Sequence, residues 1–245
     1  MLGTSHFLFI SLICGMILGS GGRMQAERRV YKDVQDVDSR LAELGLEQEL
    51  LLQAAQRGLA AFASCTPHHP RNYPALASWA ETFRGLSDLL VVHPYRWTKL
   101  DDNGQPQVHN PSGLIAITVA GGDSNTGRIG DAEPKTSASK GDTTSRAMLE
   151  NAYLFPEMEA DARAKLEKMR RRQTWFLLVH RDLVAGEMRC ELSMPISMSE
   201  DRRIDGWAER ILLSPTSFDA ALLQGIPDEP TSLTDEVKIE LKRRA

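Results

Sequence analysis

Val30, Val34, Val37, Leu41 and Leu44 recur at three- and four-residue spacing, which predicts one buried face of a helix stopped by Gly45. From about Glu47 to Ala63, Leu50, Leu51, Ala54, Ala55, Leu59 and Phe62 form a broader apolar stripe, suited to packing on two sides. These two stretches together predict a helical hairpin. The segment Thr66–Pro74, TPHHPRNYP, then interrupts the pattern, because three prolines deny the backbone its helical hydrogen bonds. A third helix is predicted over Ala75–Leu90, with Leu76, Trp79, Phe83, Leu86 and Leu90 on one side.

The period changes after Pro94. Two extended runs, Tyr95–Leu100 and Gln107 onward, flank Asn103 and Gly104 and predict a hairpin. The run Gly113–Ala120 is uniformly apolar, as expected of a central strand covered on both faces. A long polar stretch follows, after which Asp142 is placed to cap a helix beginning at Thr143. A further helix is predicted over Glu157–Arg172. QTWFLLVHR and MRCELSMPIS, separated by DLVAGE, read as a second hairpin. DGWAERILLS, from Asp205, is open between strand and helix, and a polar helix is predicted from Thr234.

This order predicts an α+β fold: a mainly antiparallel sheet with an N-terminal helical hairpin and helices packed on one face. The strand at Gly113–Ala120, its following helix and the strand Thr174–His180 are also compatible with a parallel crossover unit. The domain reading is a leader over 1–23 and one α+β domain over 24–225. Within that domain, 24–92 is the helical part and 93–225 the sheet part, and a polar tail helix occupies 226–245.

Composition changes this picture only at its edges. The chain has 245 residues, 42% hydrophobic and 25% charged, enough to build a core without staples. Its three cysteines, Cys14, Cys65 and Cys190, are too scattered for a disulfide framework or a zinc pattern, so a reducing, cytoplasmic setting is expected. The run FLFISLICGMILGSGG at 7–22 has the order of a secretory signal. No Lys or Arg precedes it and no A-x-A follows, so a start at Met24 is the preferred account. Export or membrane anchoring is the alternative if 1–23 is a genuine signal. The apolar run is shorter than the roughly 20 residues that span a bilayer, so no stable transmembrane association is expected. A net charge of −4 argues against general coating of nucleic acid.

Candidate chemistry concentrates in Gly113–Arg146, where the apolar run opens into DSNTGRIGDAEPKTSASKGDTTSR. So long a polar connection predicts a binding loop. Gly122–Gly127 matches the GxxxxG of a P-loop, but Arg128 and Ile129 replace its lysine and hydroxyl residue. What survives is a looser anion site made of backbone amides with Arg128, Lys135, Lys140 and Arg146 as contacts. Ser137 and Lys140 have the SxxK spacing of a serine–lysine pair, but without its partner motifs the spacing reads as coincidence. Asp123 or Asp131 with Glu133 and Lys135 resembles the D…ExK arrangement of metal-dependent nucleases, which would assign Asp123, Asp131 and Glu133 to a metal. Pro134 interrupts the strand that such a site needs. Asp182 with Glu191 is a second acidic pair.

Remaining motifs read as scaffold. His68 and His69 point apart, His180 with Cys190 is more readily explained by packing than by nucleophilic chemistry, and Trp79, Trp97, Trp175 and Trp207 sit in predicted elements. Basic runs at Lys168–Arg172, Arg202–Arg203 and Lys242–Arg244 leave room for a protein or nucleic-acid partner through local patches. No cofactor is called for.

The segments HNPSGLIAITVAGGDSNTG, KTSASKGDTT, WFLLVH, RCELSMPIS and IDGWAERILL resemble a group of bacterial proteins of similar length to which no activity is attached. The resemblance covers about Glu47–Asp219. It implies a bacterial origin and carries no catalytic residues. The expected function is therefore a binding or regulatory module using the loop 123–145 as contact surface; the alternative is a metal-dependent, nuclease-like enzyme on nucleic acid.

Overall fold

The computed structural model describes residues 28–92, 94–102, 104–130, 132–152, 172–223 and 225–226. Its elements run β1 (Arg29–Tyr31), α1 (Val34–Glu43), α2 (Gln48–Ala63), α3 (Tyr73–Val91), β2 (Thr98–Asp102), β3 (Gln105–His109), β4 (Ile115–Gly121), α4 (Asp142–Ala152), β5 (Gln173–Asp182), β6 (Glu187–Met198), β7 (Ile204–Leu212) and β8 (Thr216–Ser217), with a 3₁₀ turn at Ala220–Leu223. The strands form one sheet in the order β1-β7-β6-β5-β4-β3-β2, and β8 adds to the start of β6. Pairing is antiparallel except at β1–β7 and β4–β5. The α+β class and the mainly antiparallel sheet hold, and β4, α4 and β5 form the crossover.

Two helical positions behave differently from the periodic pattern. Val30 lies in the short edge strand β1, and both it and Val34 are exposed, so the buried face of α1 begins only at Val37 and Leu41. The tightest helix pair is α2 with α3. A Cβ on Gly58 would sit 1.9 Å from Thr82 Oγ1, and one on Gly85 would sit 3.3 Å from the Ala54 Cα, so glycine is what lets these backbones approach. DGWAERILLS resolves as strand β7. The predicted helices at 157–172 and beyond 234, and the leader 1–23, lie outside the described residues apart from Arg172.

α1, α2 and α3 cover one sheet face. Their Leu41, Leu51, Phe83, Leu86 and Leu90 pack with Ile117, Trp175, Leu177, Cys190, Leu192 and Ile211 in one buried cluster. Each such side chain contributes about 1.5–3 kcal/mol on burial. The opposite face carries Phe176, Leu178, Ile204 and Trp207, covered by Met148 of α4. Asn151 locks that helix in place: its amide donates to the Thr174 and Pro195 carbonyls, 3.0 Å each, and its oxygen accepts from the Thr174 N–H at 3.0 Å. No helix among the described residues is long and apolar enough to cross a membrane.

Candidate functional site

The polar segment 122–141 is neither a free excursion nor regular structure. Its described residues fold back over the second sheet face and are tied down in both the first and the last part of the segment. Gly122 and Thr136 form an isolated antiparallel bridge, the Asp123 N–H donates to the Lys135 carbonyl (3.0 Å), and the Ser137 N–H donates to Gly121 (2.9 Å). The Thr136 hydroxyl accepts from the Ile204 N–H at 3.1 Å, and the Trp207 indole donates to the Pro134 carbonyl at 2.8 Å.

Its first half is held by charges planted inside the sheet. Arg189 donates to the Ser124 and Thr126 carbonyls (3.0 Å each) and to Asp182 and Glu187 (2.9 and 2.7 Å). Glu191, fully buried, accepts from Arg210 Nε (3.0 Å) and Nη2 (2.6 Å), from Ser193 Oγ (2.7 Å) and from the Gly127 N–H (2.8 Å). Arg210 also reaches the Arg128 carbonyl at 3.0 Å. Backbone groups with no ladder partner are thus satisfied by side chains, as burial demands. Ala185 N–H and then Arg189 hold the Asp182 carboxyl well down, to about 2.

This geometry revises the anion-site expectation. The Gly127 amide is aimed at the chain's own Glu191, and the Asn125 N–H donates to Asp123 Oδ1 at 3.0 Å, so neither amide is offered outward. The four predicted contacts do not form one patch. Arg128 leans on Asp182 and Glu187 (3.4 Å each), Lys135 is exposed near Asp201, Arg146 is exposed and engaged on α4, and Lys140 lines a cleft.

The acidic sets are likewise committed. Glu133 pairs with Arg28 at 2.7 Å, Asp123 caps its own turn, and Asp131 lies outside the described residues. Asp182 pairs across the hairpin with Glu187, whereas Glu191 stands opposite Leu178, so these two carboxylates do not converge. Among the described residues, no group of three or more His, Cys, Asp or Glu could hold a metal.

Cys190 belongs to the helix-covered face, where burial pushes its thiol up to about 12. Its cross-strand neighbour is Val179, while His180 stands opposite Arg189 and contacts the Gly122 carbonyl, so the two are not cross-strand partners. His69 stacks on Tyr73. Of the basic runs, Arg202 and Arg203 are paired with Asp142 and Asp201; Lys168–Arg171 and Lys242–Arg244 lie outside the described residues.

A cleft of about 230 Å³ opens at the carboxyl ends of β4 and β5. Its walls are the first turns of α3 (Leu76, Ser78, Trp79, Thr82), the ends of β4 (Val119–Gly122) and β5 (Val179–Arg181), and Ser137, Ala138 and Lys140 of the returning segment. Trp79 is fixed by its indole N–H donating to the Val119 carbonyl at 3.0 Å, leaving it half-buried in the wall. Gly121 and Gly122 make the return possible, since a Cβ there would lie 2.4 Å from Ser137 Oγ and 2.0 Å from Thr126 Oγ1. Arg181, at the cleft's edge, donates to Ser78 Oγ at 3.0 Å with its guanidinium 4.4 Å over the Phe62 ring.

Lys140 is held by its backbone on both sides. Its N–H donates to the Arg202 carbonyl (2.7 Å), and its carbonyl accepts from Arg202 Nε (2.9 Å). The residue is half-buried, and desolvation alone pushes its ammonium down to about 8; no carboxylate is among the residues lining the cleft. Ser137 and Lys140, whose spacing reads as coincidence in the sequence, share one wall. Trp79, read as scaffold, lines the same cleft, and its helical spacing gives no sign of that.

No protein family matches the chain, and neither does any curated protein or solved structure.

Proposed function

We propose that the protein is a binding module that takes a small organic molecule into the cleft at the carboxyl ends of β4 and β5. The contact surface is then the inner side of the 122–141 segment, not its solvent-facing side. The observation that carries this reading is the position of the cleft: a concavity beyond the carboxyl ends of adjacent parallel strands, where the chain leaves one strand to cross to the next, is where α/β sheets hold ligands. The wall composition supports it. Trp79, Leu76, Val119 and Val179 offer an apolar surface, and Ser137, Lys140 and His180 offer a few polar groups, the mixture that fixes a ligand's orientation. The volume lies below the roughly 300–1,000 Å³ of drug-sized pockets, so the occupant is small.

The test is a panel of small aromatic and aliphatic alcohols, acids, amines and carbonyl compounds, scored by melting temperature and by Trp79-dependent fluorescence. A true ligand at 100 times its Kd stabilises the native state by about 2.7 kcal/mol. Ser137→Trp, which fills the cleft, is expected to abolish that gain. Ligands that stabilise Ser137→Trp as well as they stabilise the wild type would place their site elsewhere.

A further inference from the structure

We infer that Lys140 is a nucleophile: its side-chain amine condenses with the carbonyl of an aldehyde or ketone held in the cleft and forms an imine. This rests on the cleft reading above and deepens it by naming the ligand class.

Three observations point there. Lys140 lines a concavity whose surface is apolar at Leu76, Trp79 and Val119. A structural lysine normally brings a counter-ion with it, and none of the lining residues is acidic; the other titratable or cationic groups there are His180 and Arg181, and Arg181 is already engaged with Ser78 and Phe62. The backbone that carries the amine is also fixed. Both backbone polar groups of Lys140 are bound by Arg202, itself in a left-handed conformation (φ 60°) and paired with Asp142 at 2.5 Å. That conformation is uncommon outside glycine, and such local strain collects at functional sites.

The chemistry follows from desolvation. A lysine in a poorly hydrated pocket loses the proton that otherwise masks its lone pair. With the ammonium pushed down to about 8, the neutral fraction at pH 7 exceeds that of an ordinary lysine by about 300-fold. The amine lone pair attacks the carbonyl carbon, forming a C–N bond as the carbonyl oxygen takes up a proton. The nitrogen gives up one of its two protons in that step; the C–O bond of the resulting carbinolamine then breaks, and the oxygen leaves as water as the nitrogen gives up its second proton and the C=N bond forms. Amine plus carbonyl gives imine plus water, without oxidant or reductant. Ser137, in the same wall, supplies a hydroxyl able to pass protons to and from the departing oxygen.

The experiment treats the full chain at pH 7 with limiting benzaldehyde and cyanoborohydride, which reduces an imine to a stable secondary amine, and maps the adduct by peptide mass spectrometry. Benzyl alcohol, which has no carbonyl, is titrated in parallel by tryptophan fluorescence. The expected result is one adduct per chain on Lys140, formed on the order of 100-fold faster than on the exposed Lys32 or Lys135. Lys140→Arg and Lys140→Met are expected to lose it while remaining folded, as read by an unchanged far-ultraviolet circular dichroism spectrum. Equal labelling of Lys140 and Lys135 together with an intact benzyl alcohol response overturns the nucleophile and leaves the cleft reading standing. Absence of both signals overturns the two together.

Discussion

Glu191 is where the fold is most exposed to a single substitution. Each of its oxygens faces two donors: Oε1 accepts from Arg210 Nε and Ser193, Oε2 from Arg210 Nη2 and the Gly127 N–H. Glu191→Gln keeps the shape but replaces one oxygen with an NH₂. In either orientation of the amide, two donors then face a donor, and Arg210 keeps a charge without its partner. Breaking a buried ion pair on one side costs about 3–5 kcal/mol. For a domain of this size, one kcal/mol shifts the melting temperature by about 2–4 °C, so a loss of about 6–20 °C is expected. Urea unfolding checks the free energy directly, with the midpoint moving and the slope unchanged. The double variant Glu191→Leu/Arg210→Met removes both charges but leaves the Gly127 N–H and the Arg128 carbonyl without partners, at about 1–3 kcal/mol each. Measured against Glu191→Leu and Arg210→Met singly, it is therefore expected to lose less than their sum, with a coupling energy of about 2 kcal/mol. A Glu191→Gln loss below about 1 kcal/mol, or strict additivity in the double variant, would refute the reasoning that this pair clamps the 122–130 segment.

Gly122→Ala drives a methyl group onto Thr126 Oγ1 and Cβ and is expected to cost about 1–3 kcal/mol, whereas Gly130→Ala, with open space around it, should change the urea midpoint negligibly. The Asp182 carboxyl is held below its unfolded value, so its contribution is complete above about pH 4 and is lost as pH falls through about 2; Asp182→Asn should flatten the acid limb of the stability profile in that window, and a profile identical to wild type there would contradict the assignment. Cys190, fully buried with its thiol pushed up to about 12, should resist alkylation at pH 8 in the native protein and react on denaturation, as read by peptide mass spectrometry.

What hydrophobic period could reveal was decided by how each element buries its polar positions. α2 and α3 are legible because their apolar faces are broad and uninterrupted. The start of α1 is not, because Val30 and Tyr31 continue the same spacing while belonging to a three-residue strand beside β7. β7 itself was ambiguous for a different reason: Glu209 and Arg210 sit in the middle of an apolar run, and only the fold supplies the partners, Arg40 and Glu191, that make both tolerable there.

The same charges carried the one signal that polarity in 123–145 does not mean exposure. Arg189, Glu191 and Arg210 occupy strands whose remaining residues are almost all buried, and charges so placed need partners that a sheet ladder cannot provide. Thr136 of the polar segment is completely buried and its hydroxyl accepts from the Ile204 N–H, so the segment's composition reflects the need to hydrogen-bond an irregular covered backbone as much as contact with water. Lys140 left no comparable trace, because its environment comes from four separate segments: α3, the end of β4, the end of β5, and the turn carrying Arg202. The link between these levels is the crossover. β4 and β5 are parallel, so the chain must leave β4 at its carboxyl end, and Gly121 and Gly122 let it turn back so tightly that the return becomes a wall of the opening left there. A cleft at that point follows from topology; that its wall carries an unpartnered lysine does not, and that is why Lys140 is the residue on which a functional experiment should begin.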